Sequence, residues 1–273
     1  VIVTGIRDLG RFEPRGKPTE AYIEEARWLL GSMAPLIVFT DPEYQRALAS
    51  LRPAAAQTWW RPERNEVPHD PRLEAALRRS RYAWNPLKDT PRYLALMRQK
   101  LTWLRRGSEI AEGPVTWVDL ALRPRSPTLT AECLLGGPSE RIRLAELSYV
   151  PTAVRHDRAA FYADHYWPVA GGVIQGTPAA LAWLDAQVET EWQWCLANGY
   201  AATDEMMLGF IRFQHPERFE AYYADHPTLV DNWGGVRDSL PLIMQMALRA
   251  QDDGNAAEAQ SRFDAVASAR RGS

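Results

Sequence analysis

Cysteine is nearly absent from this chain: Cys133 and Cys195 are the only two among 273 residues. Two are too few for a disulfide scaffold or a zinc site, and the scarcity fits a reducing, cytoplasmic setting. No apolar run reaches the roughly 18 residues that a membrane-spanning helix needs. An excess of charge of either sign is missing as well, since the formal net charge is −2 with acids and bases interspersed. That balance excludes a broad basic face for nucleic acid. The Arg-rich stretch from Arg72 to Arg81 reads instead as a solvated helix face. The opening residues carry neither a basic region nor an apolar signal core, and because Val1 is not a methionine, an upstream segment stays open. Internal repeats are absent.

Two nucleotide-binding signatures are missing too. In Gly5-Ile6-Arg7-Asp8-Leu9-Gly10-Arg11-Phe12 the positions that a P-loop gives to Lys and Ser/Thr hold Arg11 and Phe12. No G-x-G-x-x-G opens a helix anywhere, so the dinucleotide fingerprint is excluded.

What is present describes an ordinary globular chain. Apolar residues make up 46% and charged residues 24%, a balance that favours a folded core over disorder. A chain of this length buries roughly 70–75% of its unfolded surface, which makes covalent staples unnecessary. The weight of Arg, Ala, Pro and Trp suggests a GC-rich bacterial genome.

The order of elements predicts an α/β fold. Val1 to Gly5 reads as a short buried strand ending at a glycine. Thr19 caps a predicted helix over 20–30, with Tyr22, Ile23, Ala26, Leu29 and Leu30 on one face. A second buried strand spans 36–40; Thr40 or Asp41 then caps a helix through Leu51, and a third strand covers 56–60. Helices follow over 71–84 and 91–106, the latter with Tyr93, Leu94, Met97, Leu101 and Leu104 as its apolar stripe. Strands are predicted over 114–119, 144–150 and 169–176, the last broken by glycines. Helices are predicted over 155–166, 178–197 and 204–213. Tyr222 to Pro227 reads as a loop. Residues 1–250 form one domain in this reading, and 251–273 form a loosely ordered tail, a loose helix or frayed end with few large apolar residues.

Alternating strands and helices imply a mostly parallel central sheet flanked by helices. Ligands of such sheets sit at the carboxyl ends of the strands, so Gly5 to Arg11, Thr40-Asp41 and Asp119 become neighbours by topology. Each has a plain reading beside a functional one. Arg7, Asp8 and Arg11 make a surface loop or hold a base, ribose or diphosphate. Asp119 caps a turn before Arg123-Pro124 or meets a divalent cation, because a buried carboxylate needs a cation or donors. Gly171, Gly172 and Gly176 mark a bulge or a close approach to a sugar. Glu191 falls on the stripe of Leu181, Leu184, Val188 and Cys195, which requires a salt-bridge partner or a place in a site. Asp204 and Glu205 suit a helix N-terminus electrostatically, or act on acceptor hydroxyls and protons. His226 is a rim residue or a ligand for metal or phosphate. Trp167, Tyr222 and Trp233 offer stacking faces.

In order, Val3 to Arg11, Val38-Phe39-Thr40-Asp41, Lys100 ahead of Trp117-Val118-Asp119, Ala170 to Gly176, Thr203-Asp204-Glu205 and Tyr222 to Asp225 resemble the HtrL/YibB-like family, which includes WlaTC-like proteins and is similar to GT-A glycosyltransferases. The similarity spans roughly residues 1–235. It implies a single Rossmann-like GT-A domain that moves a sugar from a nucleotide-diphosphate sugar to an acceptor hydroxyl, on a glycan or a small-molecule natural product. Thr4, Gly5, Ile6, Arg7 and Arg11 would line the nucleotide, with Thr40 and Asp41 beside them. Lys100, or a nearby Arg, would neutralise phosphate, and Asp119 would bind a divalent cation, Mn or Mg. Gly171, Gly172 and Gln175 would approach the sugar. Asp204, Glu205 or Glu191 would supply a base. GT-A enzymes usually carry Asp-x-Asp, whereas here Trp117 precedes Asp119 by two and Ala121 follows by two. Asp225 and His226 would then complete the metal site. The competing readings are a non-catalytic carbohydrate-binding protein and a nucleotidyltransferase, whose paired acids are missing.

Overall fold

Strand β1 (Ile2–Ile6) is apolar on both faces because both faces are covered. Ile2 and Ile6 enter one core cluster, and Val3 enters the other. The computed structural model describes residues 1–7, 19–80, 85, 89–137, 140–235 and 240–271, with the side chains of 19–20 and 268–271 excepted. Asp8 and Arg11 therefore lie outside the described residues.

Beside β1 lie β2 (Leu36–Thr40), which is parallel to it and buried throughout, and then β3 (Thr58–Pro62). On its other side runs β4 (Val115–Val118), also parallel. The sheet continues through β6 (Val169–Gly176) and β5 (Ile142–Glu146) to β7 (Phe219–Tyr223), giving the order β3-β2-β1-β4-β6-β5-β7. Only β6 runs against its neighbours β4 and β5. Seven strands thus form the mostly parallel sheet of an α/β domain. The chain turns outward from β1 through β2 to β3, then returns to the opposite side of β1 for β4. This reversal leaves a crevice at the carboxyl ends of β1 and β4, the usual ligand position in open α/β sheets.

One face of the sheet packs on α5 (Pro91–Ala111), α7 (Pro178–Asn198) and α8 (Asp204–Gln214). α5 approaches β1 so closely that a β-carbon on Gly5 would meet the Trp103 ring at 2.7 Å. Trp103 in turn stacks on Phe39 at 5.6 Å between centroids. The opposite face carries α1 (Thr19–Glu25) and α2 (Arg27–Leu30), with α3 (Pro42–Ala49) following β2 and α4 (Pro71–Arg79) adjoining α5. α6 (Arg158–Ala163) rests on α8.

Several expectations are corrected. The single helix over 20–30 is two, separated at Ala26, although Ala26, Leu29 and Leu30 are buried as predicted. Asp41 stands at the N-cap of α3 without a side-chain capping bond, because its carboxylate is taken by Arg7. The strand over 169–176 is continuous; the irregularity lies in its pairing, where the register with β5 shifts between Leu144 and Ala145. Tyr222 and Tyr223 belong to strand β7 rather than to a loop.

The stretch from residue 251, expected to be a loose helix or frayed end, contains α10 (Ala256–Arg271), packed on α9 (Leu240–Asp252). Arg262 is its anchor. Only 3% exposed, Arg262 reaches Glu146 at the end of β5 (2.5 Å) and Glu258 one turn away (2.5 Å). Glu146 is shared with Arg212 at 2.8 Å. A helix poor in large apolar side chains is thereby held to the sheet by ion pairs.

Candidate functional site

Helix α5 starts under a Thr90 cap, whose hydroxyl accepts the Tyr93 N–H at 3.2 Å. The spacing Tyr93, Met97, Lys100 then puts all three on one helical face. That face looks onto the crevice between β1 and β4, where two chambers meet. The larger, about 610 Å³, is walled by Asp119, Gly172, Asp204, Glu205, Trp167 and His226 among others. The smaller, about 310 Å³, is walled by Gly5, Ile6, Arg7, Tyr22, Trp103 and Leu120 among others. Tyr93, Met97, Lys100, Asp119 and Leu122 line both.

Lys100 is the hinge of the site. Its side chain is 3% exposed, and its ammonium is ion-paired with the Asp204 carboxylate, lies 3.6 Å from Asp119 Oδ1, and donates to the Gly171 carbonyl at 3.0 Å. Burial alone would depress its pKa; the charges of Asp119 and Asp204 outweigh burial and hold it above the ordinary value. Lys100 is therefore a fixed cation. Gly171 is required at this spot, because a β-carbon there would overlap Asp204 and stand 2.8 Å from the Lys100 ammonium.

Asp119 follows β4 directly. Its backbone N–H donates to the Gly172 carbonyl at 2.9 Å, and its own carbonyl accepts the Leu122 N–H, which closes a turn. The turn reading of Asp119 holds, and its side chain, 46% exposed, fronts the cleft. Trp117, two residues earlier on the same strand face, donates its indole N–H to Asp119 Oδ1 at 2.7 Å. Where the sequence lacks the first acid of Asp-x-Asp, the structure supplies an orienting donor for the second.

Asp204 and Glu205 open α8 behind the Thr203 cap, whose hydroxyl accepts the Met206 N–H at 3.3 Å. Glu205 Oε1 accepts the Gly171 N–H at 3.2 Å. Burial, reinforced by the Asp204 charge, pushes the Glu205 carboxyl up to about 7. The two neighbouring acids consequently differ. Asp204 is tied to Lys100, while Glu205 is poised to exchange a proton near neutrality.

On the smaller side, Arg7 is 6% exposed. Its Nε donates to Asp41 Oδ1 at 2.6 Å and its Nη2 to the Asn65 carbonyl at 2.6 Å. Asp41 thus contributes by fixing Arg7. Thr4 and Thr40 are fully buried in the sheet behind these chambers, and Thr40 donates to the Asp41 carbonyl at 3.3 Å.

Like Thr4, Thr40 and Asp41, the expected participants Gly171, Gln175 and Glu191 line neither chamber. Gln175 is buried in the sheet and donates to Thr116 Oγ1 at 3.0 Å. Its neighbour Gly171 supports Lys100 and Glu205 from behind the cleft wall. Glu191 sits in a separate cluster with Arg158 (2.7 Å) and the Tyr162 hydroxyl (3.2 Å), where burial raises its pKa. The stripe position of Glu191 is explained by that salt bridge.

The expected metal trio is only partly assembled. Among the described residues no three His, Cys, Asp or Glu are grouped to hold an ion. Asp225 lines the larger chamber, but its carboxylate accepts the Thr228 hydroxyl at 2.5 Å in a capping box at the turn 226–228. Asp119 and His226 line the same chamber. Magnesium is commonly held by one or two carboxylates, with phosphate oxygens and water completing its shell, so an ion at Asp119 would draw most of its ligands from substrate and water.

Tyr93 is the residue that the sequence reading missed. It lines both chambers, and burial together with the charges of Asp204, Asp119 and Glu205 keeps its phenol protonated, with the pKa raised. Its signal was Lys100 seven residues on, a charge at apolar-stripe spacing.

No helix among the described residues is long and apolar enough to cross a membrane. No family model matches the chain, and no curated protein matches it. Among solved structures, the apo form of mouse xyloside xylosyltransferase 1 is similar over 81% of this chain and 83% of that one, with 14% identity and a TM-score of 0.45. A likeness that slight carries no inference about this chain's chemistry.

Proposed function

We propose that this protein is a GT-A-like glycosyltransferase that moves a sugar from a nucleotide-diphosphate sugar to an acceptor hydroxyl. The observation that carries this reading is the junction of the two chambers. There a buried lysine fixes Asp204 beside Asp119, and the adjacent Glu205 carboxyl titrates near 7. The smaller chamber, with Arg7, Tyr22 and Ile6, takes the nucleoside. The diphosphate lies across the junction, where Lys100 and the Tyr93 phenol are cationic and neutral donors. The larger chamber takes the sugar and the acceptor, with Trp167 as a stacking wall.

Asp119 and His226 would hold a Mn or Mg ion, which supplies positive charge to the departing diphosphate. Glu205, as the carboxylate, removes the proton from the acceptor hydroxyl while that oxygen bonds to the anomeric carbon. The bond from that carbon to the diphosphate oxygen breaks, and the nucleoside diphosphate leaves. Such a displacement inverts the anomeric centre. Asp204 positions Lys100 and keeps Glu205 from ionising early, because like charges at this separation oppose each other.

The test is a panel of UDP-, GDP-, TDP- and CDP-sugars with and without manganese, read by thermal shift and by release of nucleoside diphosphate. Stabilisation by no nucleotide sinks the reading. Binding without any transfer or hydrolysis favours a carbohydrate- or nucleotide-sugar-binding protein, and release of pyrophosphate from a nucleoside triphosphate favours a nucleotidyltransferase.

A further inference from the structure

Two described side chains that line the smaller chamber hold a buried donor without a partner, the Trp103 indole and Arg7, and only Arg7 is charged. Arg7 is fully engaged at Nε and Nη2, yet its Nη1 is buried without a hydrogen-bond partner. Leaving a buried donor of a charged group unmade costs free energy, so such an atom marks a place where an acceptor is expected. Arg7 lines the 310 Å³ chamber, so that acceptor belongs to whatever the chamber binds.

Two features identify its chemistry. First, the charge of Arg7 is already compensated by the buried Asp41 carboxylate at 2.6 Å. The pair is neutral as a unit, and what remains is the need for an acceptor rather than for an anion. Second, away from Lys100 and Asp119 at the junction, the chamber walls are largely aromatic and aliphatic, with Tyr22, Tyr93, Trp103 and Trp117 beside Leu96 and Leu120. Such walls suit a planar ring and do not suit a phosphate, which binds where several donors converge.

We propose that Arg7 is a specificity-determining residue that reads an exocyclic keto oxygen of the nucleobase, at C4 of a pyrimidine or C6 of a purine. This rests on the reading of the site as a nucleotide-sugar site. Arginine only donates hydrogen bonds. A keto oxygen at that position accepts from Nη1, whereas an amino group presents a second donor and leaves both groups unpaired. Because Asp41 and Asn65 hold the guanidinium on two sides, it cannot turn away to accommodate the amino base. The site therefore favours uracil over cytosine and guanine over adenine at constant ring size.

The experiment is calorimetric titration of the wild-type protein and of Arg7→Lys with UDP, CDP, GDP and ADP, manganese present throughout. For the wild type the expected result is UDP tighter than CDP, and GDP tighter than ADP, by about tenfold or more in each pair. Arg7→Lys keeps a positive charge for Asp41 but loses the fork, so UDP weakens, CDP changes little and the ratio falls toward one. If Arg7→Lys does not fold, the wild-type ratios alone decide. Equal affinity within each pair, or preference for the amino base, overturns the proposal while leaving nucleotide binding intact. Binding of none of the four removes both this inference and the function on which it rests.

Discussion

Gly171 and Asp204 are packed so closely that a β-carbon on the glycine would overlap the Asp204 carboxylate. The carboxylate holds Lys100, whose ammonium also donates to the Gly171 carbonyl, so strand β6, helix α5 and helix α8 meet at one ion pair. The absence of a side chain at residue 171 is therefore part of the site's electrostatics.

Gly171→Ala is expected to destabilise the protein by roughly 2 to 3 kcal/mol, through overpacking against a buried pair that cannot retreat. Gly136→Ala is the control, since a β-carbon there meets nothing within 4 Å. Urea unfolding of both variants measures the difference. A Gly171→Ala midpoint equal to that of the control would contradict the packing described here.

Lys100→Met removes the cation between Asp119 and Asp204. The loss is expected to be on the order of 3 to 5 kcal/mol, because two carboxylates are left without their buried partner. Lys100 also lowers the Glu205 pKa, so in any variant that still folds the Glu205 titration moves upward from about 7. Carboxyl NMR of the variant at several pH values reads this directly.

Glu205 gives a pH dependence with a definite sign. Its folded-state pKa of about 7 lies above the ordinary 4.5, so the folded protein holds the proton more tightly than the unfolded chain. Stability from this group is therefore lost as pH rises from about 4.5 to about 7, and Glu205→Gln removes that loss. The variant should exceed the wild type by roughly 1 to 3 kcal/mol above pH 7 and match it below pH 4.5. Transfer activity runs the opposite way, rising as the carboxylate forms through pH 7 and vanishing in Glu205→Gln. Thermal melts and rate profiles across this range test both halves.

Glu191→Gln separates Glu191 from Asp204 and Glu205, the other two acids that the sequence placed with it as candidates. Weakening the bonds to Arg158 and Tyr162 is expected to lower stability by about 1 to 2 kcal/mol. Nucleotide affinity should stay within twofold of wild type, roughly the precision of calorimetry. A large loss of affinity at unchanged stability would bring Glu191 back into the site.

Arg262→Met tests the anchoring of α10. Glu146 would keep Arg212 but lose its second cation, at a cost of about 3 kcal/mol. Truncation before Ala256 should cost at least as much, since it also uncovers Tyr149, Met246 and Ala250. Chemical denaturation of both proteins checks this, and unchanged midpoints would restore residue 250 as the boundary of the folded unit.

How much of this was legible in the sequence follows from the range of each interaction. Strands β1, β2 and β6 announced themselves because buried β-branched runs are a local signal. Helices α5, α7 and α8 did so through helical spacing, and the structure adds Thr caps at 90, 177 and 203. The candidate acids Asp119, Asp204 and Glu205 were also legible, since charges at the end of a strand or the start of a helix need an explanation. β7 was not, because its buried residues Phe219 and Tyr222 stand three apart and break the alternation that marks a strand. Nor was the order of α10, whose anchor Arg262 finds Glu146 across 116 residues.

By itself, then, the sequence determined the alternating α/β order and the strand ends at which chemistry gathers, because short-range patterning dictates both. Only the tertiary structure decided the roles. It tied Asp204 to Lys100, turned Asp41 into the holder of Arg7 and carried Glu191 out of the site. It also put Trp117 in place as the donor that fixes Asp119. Each of these depends on which distant side chain lies within a few ångströms, and pairing at that range is set by how the sheet and helices pack.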